Sequence, residues 1–158
     1  LVSGDGDFHT QIDRSGNEDW WHHEEIVMEK GYTTELLTRH SIDFIDAHRE
    51  EPFFLYLPHL AIHFPWQGPN DPPHREAGKS WHKDKWGVIP DRGNVALHVN
   101  AMIESLDASV GAIVSALRKR DLNLGCFKGF IYMLVETMNQ QPPVFGATRP
   151  AQQFELQS

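Results

Sequence analysis

Apolar positions recur at helical spacing in two stretches and run continuously in two others, and these changes of pattern predict the elements. From Thr33 onward, Leu37, Phe44 and Ile45 fall at i, i+7 and i+8, with Leu36 beside them. That spacing collects one apolar face on an α-helix, predicted over 33–50. Thr33 or Thr34 can cap its free N–H groups, Glu35 suits the positive end of its dipole, and Pro52 stops it. Phe53-Phe54-Leu55-Tyr56-Leu57 follows between Pro52 and Pro58, a continuous apolar run too short for a helix. It predicts a strand buried on both faces, of the kind found inside a mostly parallel sheet. A second helix is predicted over 97–120, because Val99, Ile103, Leu106, Val110, Ile113 and Leu117 keep helical spacing and Arg118, Lys119 and Arg120 suit the negative end of the dipole. Phe130 to Val135 predicts another buried strand, and Glu136 to Ser158, rich in Gln and Pro, is expected to be loose.

Helix, buried strand, helix is the signature of an α/β layer fold, so both helices are expected to pack on a partly parallel sheet. Between the elements lie two aperiodic stretches. Residues 1–31 are polar and rich in Gly and Asp. Residues 58–96 are dense in proline and carry His59, His63, Trp66, Trp81, His82 and Trp86. A loop of that length in a compact domain is usually functional or disordered, and its tryptophans argue for function.

Composition narrows the classes. Hydrophobic residues make up 40% and charged residues 23%, enough apolar material for a core. The net charge of -8 and the lack of any basic run beyond Arg118–Arg120 argue against nucleic acid as a partner. No apolar run approaches the ~18 residues of a membrane span. A single cysteine, Cys126, excludes an internal disulfide framework, and no leader precedes Leu1, so the chain is expected to begin inside a longer protein. Compartment stays open.

The candidate chemistry centres on Pro58-His59-Leu60-Ala61-Ile62-His63-Phe64-Pro65, just past the carboxyl end of the predicted strand, where ligands bind in open α/β sheets. A protonated imidazole there can donate to an anionic oxygen and follow charge on a leaving group. Two other readings stand beside this one. His59 and His63 at i, i+4 could ligate a metal, although Pro58 and Pro65 disfavour the helix that would need. Both rings could instead pack on Trp66 and backbone carbonyls. Asp5, Asp7 and Asp13 could form a cation cluster or an acidic surface loop, and Cys126 beside Lys128 lacks an identifiable histidine partner. No phosphate-binding glycine loop and no Gly-x-Ser-x-Gly elbow occurs.

Three blocks resemble the type I sulfatases of the alkaline-phosphatase-like superfamily: Gly31 to Ile45, Pro52 to Pro65, and Ala101 to Gly111. Gly16 to Trp21 and Phe64 to Gly68 are similar to a subset of bacterial sulfatases. The resemblance covers roughly residues 1–122 and implies the middle part of a catalytic domain with a layered α/β/α sandwich. It implies hydrolysis of sulfate esters, with a sulfated small molecule or glycan as partner of the intact enzyme. It also implies a formylglycine nucleophile made from Cys or Ser in Cys/Ser-x-Pro-x-Arg, and a Ca2+ ion held by Asp and Asn. By its place in the motif His63 resembles the sulfate-binding histidine, with His59 and Trp66 as substrate-binding neighbours.

The departures matter as much. No Cys/Ser-x-Pro-x-Arg occurs, and the paired aspartates for calcium have no counterpart, so no metal ligand is assigned and the chain alone is expected to be inactive. Residues 123–158 do not continue the pattern into Asp-Asn-Gly, and one reading of this tail is a shifted reading frame. The alternatives are a phosphodiesterase or phosphonate hydrolase of the same superfamily, or a non-catalytic relative that binds an anion or glycan.

Overall fold

A computed structural model describes residues 5–81, 93–120 and 122. The strand expected over Phe130 to Val135, the tail after 122, Cys126, His82 and Trp86 lie outside them. In chain order the elements are β1 (Trp21–His22), β2 (Glu25–Ile26), α1 (Thr33–Ala47) and α2 (Val95–Lys119). β1 and β2 form an antiparallel pair with Trp21 opposite Ile26.

Helix α1 starts where expected, by a different device. Its N-cap is Tyr32, and no side chain caps it. The Thr33 hydroxyl instead donates to the Phe8 carbonyl at 3.0 Å, and the Thr33 N–H reaches the same oxygen at 2.8 Å. The threonines thus tie the helix start to the loop before it. The helix ends at Ala47, short of residue 50, because His48 leaves helical geometry and the Glu51 N–H closes a turn onto the His48 carbonyl.

Helix α2 exists as expected, but it is rotated. Its buried positions are His98, Met102, Leu106, Ser109 and Ala116, and Ile103 of the predicted stripe is 46% exposed. The stripe read from hydrophobicity therefore runs along the edge of the buried face. The reason is the contact with α1, which is partly polar: the Thr38 and Ser109 hydroxyls lie 2.5 Å apart, and Arg120 pairs with Asp46.

The segment 53–57 departs from expectation. It has no ladder partner among the described residues, and its burial alternates: Phe53, Leu55 and Leu57 are half-buried, while Phe54 and Tyr56 are 85% and 55% exposed. A strand exists by pairing, and a both-faces-buried strand needs neighbours and covering layers on either side. Here one face rests on α1, with Phe53 edge-on to Phe44 at 5.6 Å, and the other is open. The described residues therefore hold two helices and one small antiparallel sheet. The mostly parallel sheet of the expected sandwich is not among them.

The core forms where loops meet the two helices. Phe8, Tyr32, Leu60, Ala61, Met102 and Leu106 make one buried cluster, and Ile62 and Trp66 pack against it. Phe8 stacks on Tyr32 at 5.5 Å. This cluster fixes both ends of the histidine segment, because Leu60 and Ala61 enter it just before His63 and Trp66 touches it just after.

Candidate functional site

His63 sits on a turn closed by its own N–H, which donates to the Leu60 carbonyl at 2.8 Å. Its Nδ1 lies 2.6 Å from the Phe64 carbonyl, and its ring leans on the Phe64 ring at 4.2 Å. A carbonyl only accepts, so Nδ1 carries the proton. That leaves Nε2 as the ring nitrogen for a ligand: an acceptor when the imidazole is neutral, a donor when it is charged. The Arg14 guanidinium lies over the other part of this small aromatic stack, 5.0 Å from the Phe64 ring centre.

His59 faces elsewhere. Its Nε2 is 3.3 Å from the Ser109 hydroxyl on α2, and its Nδ1 is buried without a partner. Burial pushes its pKa down, so the neutral ring is favoured. The structure thus does not bring His59 and His63 to one point as a ligand pair. Trp66, half-buried, packs on the core cluster. A cavity of about 550 Å³ opens between α1 and α2, with Thr34, Thr38, Asn70, Glu104 and Ser109 among its lining, and none of His59, His63 or Trp66 lines it.

The segment after His63 is held by a buried polar hub that periodicity could not reveal. Asp7 is fully buried, and its carboxylate accepts from five groups. Oδ1 takes the N–H groups of His9 and Thr10, each at 2.9 Å. Oδ2 takes His74 N–H at 2.8 Å, Arg75 N–H at 3.0 Å and Gln67 Nε2 at 3.1 Å. Burial pushes this carboxyl up, but the four backbone donors outweigh it and hold it below the usual carboxylate range. Gln67, also fully buried, accepts from Phe8 N–H at 3.0 Å and donates to the Pro72 carbonyl at 3.1 Å. Its own carbonyl accepts from the Tyr32 hydroxyl at 2.7 Å, and burial pushes that phenol's pKa up. Buried Arg75 completes the hub through the Asp5 carboxylate at 3.0 Å and the Asp5 carbonyl. Gly68 then packs on α2, where Asp71 takes its N–H at 2.6 Å and bonds His98 Nδ1 at 2.8 Å.

These contacts decide the reading of Asp5, Asp7 and Asp13. Asp7 is saturated by N–H donors, Asp5 pairs with Arg14 and Arg75, and Asp13 is bonded by both the backbone and the side chain of Asn17. They are loop-building acceptors turned toward donors, not a free oxygen cage. Among the described residues no group of three or more His, Cys, Asp or Glu is placed to hold a metal. The residues present here do not fit the calcium site that the family resemblance implies, and no step is derived through it. Arg75 carried no sequence signal, and Asp7 stood out only as one of three acidic residues near the start. Gln67 carried one, since it lies in the Phe64 to Gly68 block.

The site thus consists of a histidine on a loop turn whose downstream flank is tied to a buried polar hub. The sulfatase family profile matches residues 3–124, and the chain belongs to the sulfatase family. A chain in the crystal structure of Ps i-CgsB shares 28% identity over 63% of this chain, with a TM-score of 0.44. The match spans 20% of that neighbour's length. No curated protein matches the chain.

Proposed function

We propose that this chain supplies the histidine-loop part of a sulfuric ester hydrolase pocket, in which His63 Nε2 donates to a sulfate oxygen. One observation carries the reading: Nδ1 is committed to the Phe64 carbonyl, so Nε2 is the nitrogen left for a ligand. In its charged form it stabilises the anion and the charge that develops on the leaving oxygen. Trp66 offers an apolar surface to the organic part of the ester, and His59 supports the loop from the α2 side as its neutral neighbour. Residues 1–122 are read as the pocket-bearing part and 123–158 as a divergent tail.

The chain by itself is read as inactive, because it carries no Cys/Ser-x-Pro-x-Arg. Nucleophile, metal and cationic clamp act as a unit, and removing one member forfeits most of the rate. Exposed Phe54, Tyr56, Leu97 and Ile103 support a chain that packs against further protein. The test is hydrolysis of an aryl sulfate by the purified chain. No turnover above buffer is expected. Turnover that falls when His63→Gln is introduced would refute the inactivity and place a complete site in these residues.

A further inference from the structure

We infer that Gln67 is a positioning residue for His63, holding the imidazole so that Nδ1 meets the Phe64 carbonyl and Nε2 faces the ligand. This rests on the reading of His63 as a sulfate ligand. His63 stands on a short bridge between two pinned points. Upstream, Leu60 and Ala61 are locked in the core. Downstream, only Phe64, fully buried Pro65 and Trp66 separate His63 from Gln67. The carbonyl that fixes the imidazole tautomer belongs to this bridge, so its direction follows from where the bridge is tied.

Gln67 is suited to that tie by its two-sided chemistry. Phe8 N–H needs an acceptor, while Asp7 Oδ2 and the Pro72 carbonyl need a donor. A side-chain amide offers the acceptor and two donor hydrogens at once, and the partners fix which end is oxygen. Leucine fills the volume and offers neither. Glutamate offers the acceptor, but faces Asp7 and Pro72 with an oxygen that satisfies them only when protonated.

The experiment uses the full 158-residue chain with 15N-labelled histidine, the His63 signals being assigned by their loss in His63→Gln. The free chain is expected to show a single Nδ1–H tautomer at His63. Gln67→Leu is expected to give mixed tautomers and to raise the midpoint of an inorganic sulfate titration by at least about tenfold, since a displacement near 1 Å costs that much or more. Gln67→Glu is expected to behave like Gln67→Leu at neutral pH, because its second oxygen faces Asp7 Oδ2 and the Pro72 carbonyl without a proton. Arg120→Ala, which breaks the ion pair to Asp46 and the bond to the Ala116 carbonyl, is expected to lower stability while leaving the tautomer unchanged. A His63 tautomer unchanged in a folded Gln67→Leu chain overturns the inference. Mixing in Arg120→Ala as well reduces Gln67 to general stability and overturns it too. If Gln67→Leu does not fold, Gln67→Glu decides at neutral pH, because a folded Gln67→Glu chain with the Nδ1–H tautomer unchanged overturns the inference. A tautomer that depends on Gln67 in a chain whose His63 signals ignore sulfate upholds the positioning and refutes the pocket reading instead.

Discussion

Replacing Asp7 with Asn changes one atom of the hub, and its cost can be worked from the contacts. The amide has one oxygen where the carboxylate has two. Placed at Oδ2, it keeps His74, Arg75 and Gln67, and turns an NH2 group on the N–H donors of His9 and Thr10. Placed at Oδ1, it loses three donors instead of two. Each bond to a charged acceptor is worth about 1.5–3 kcal/mol, so the better arrangement still forfeits about 3–6 kcal/mol. With a urea dependence of about 1–3 kcal/mol per molar for a small domain, even the lower figure moves the midpoint down by about 1–3 M. The assay is urea unfolding of both chains, followed by Trp fluorescence and far-UV circular dichroism. Coincident transitions shifted by less than about 1 kcal/mol would refute the hub, because no relaxed arrangement of these donors satisfies all five without the carboxylate.

Two further outcomes follow from the same contacts. A Cβ on Gly68 would meet the Ala101 Cβ at 2.8 Å, so Gly68→Ala is expected to cost about 1–3 kcal/mol, and Ala101→Gly in the same chain is expected to recover part of it; an unchanged urea midpoint counts against this close approach. Burial lowers the pKa of His59, so the folded chain binds this proton more weakly than the unfolded chain does. The stability this contributes is fully present above the ordinary histidine value near 6.5 and is lost as pH falls through the lowered one. The urea midpoint of the wild-type chain is therefore expected to fall more steeply with acid than that of His59→Gln, and parallel pH profiles would show that His59 stays solvated.

How far the sequence carried the fold follows from what each element depends on. Helices α1 and α2 were legible because helical spacing is local, and their starts fall within two residues of expectation. Which side of α2 is buried was not, because that is set by α1 and the loops, through Ser109 and Thr38 as well as apolar residues. The run 53–57 reads as a buried strand in isolation, yet pairing is a property of its neighbours, and Phe54 and Tyr56 stay exposed here. The site divides in the same way. His63 was singled out by its place in the block around it, and the structure sets it on a turn closed onto the Leu60 carbonyl. His59 was read with it as a neighbour, and the structure turns it toward Ser109. Asp7 and Arg75 lie far apart in sequence from each other, and no spacing rule foretells that one carboxylate will gather five donors. The acidic residues near the start could be read as a cation cluster or as an acidic surface loop, and their partners are N–H groups and guanidinium ions.

The central claim is that His63 Nε2 is an oxyanion ligand, and a sulfate titration read at that nitrogen tests it most directly. The 158-residue chain, labelled in histidine, is titrated with sodium sulfate at constant ionic strength with chloride as the balancing ion. The account predicts a saturable shift at His63 Nε2 that is weaker at Nδ1 and is absent from His59. Sulfate that leaves His63 Nε2 unmoved, or that moves every histidine alike, would contradict it.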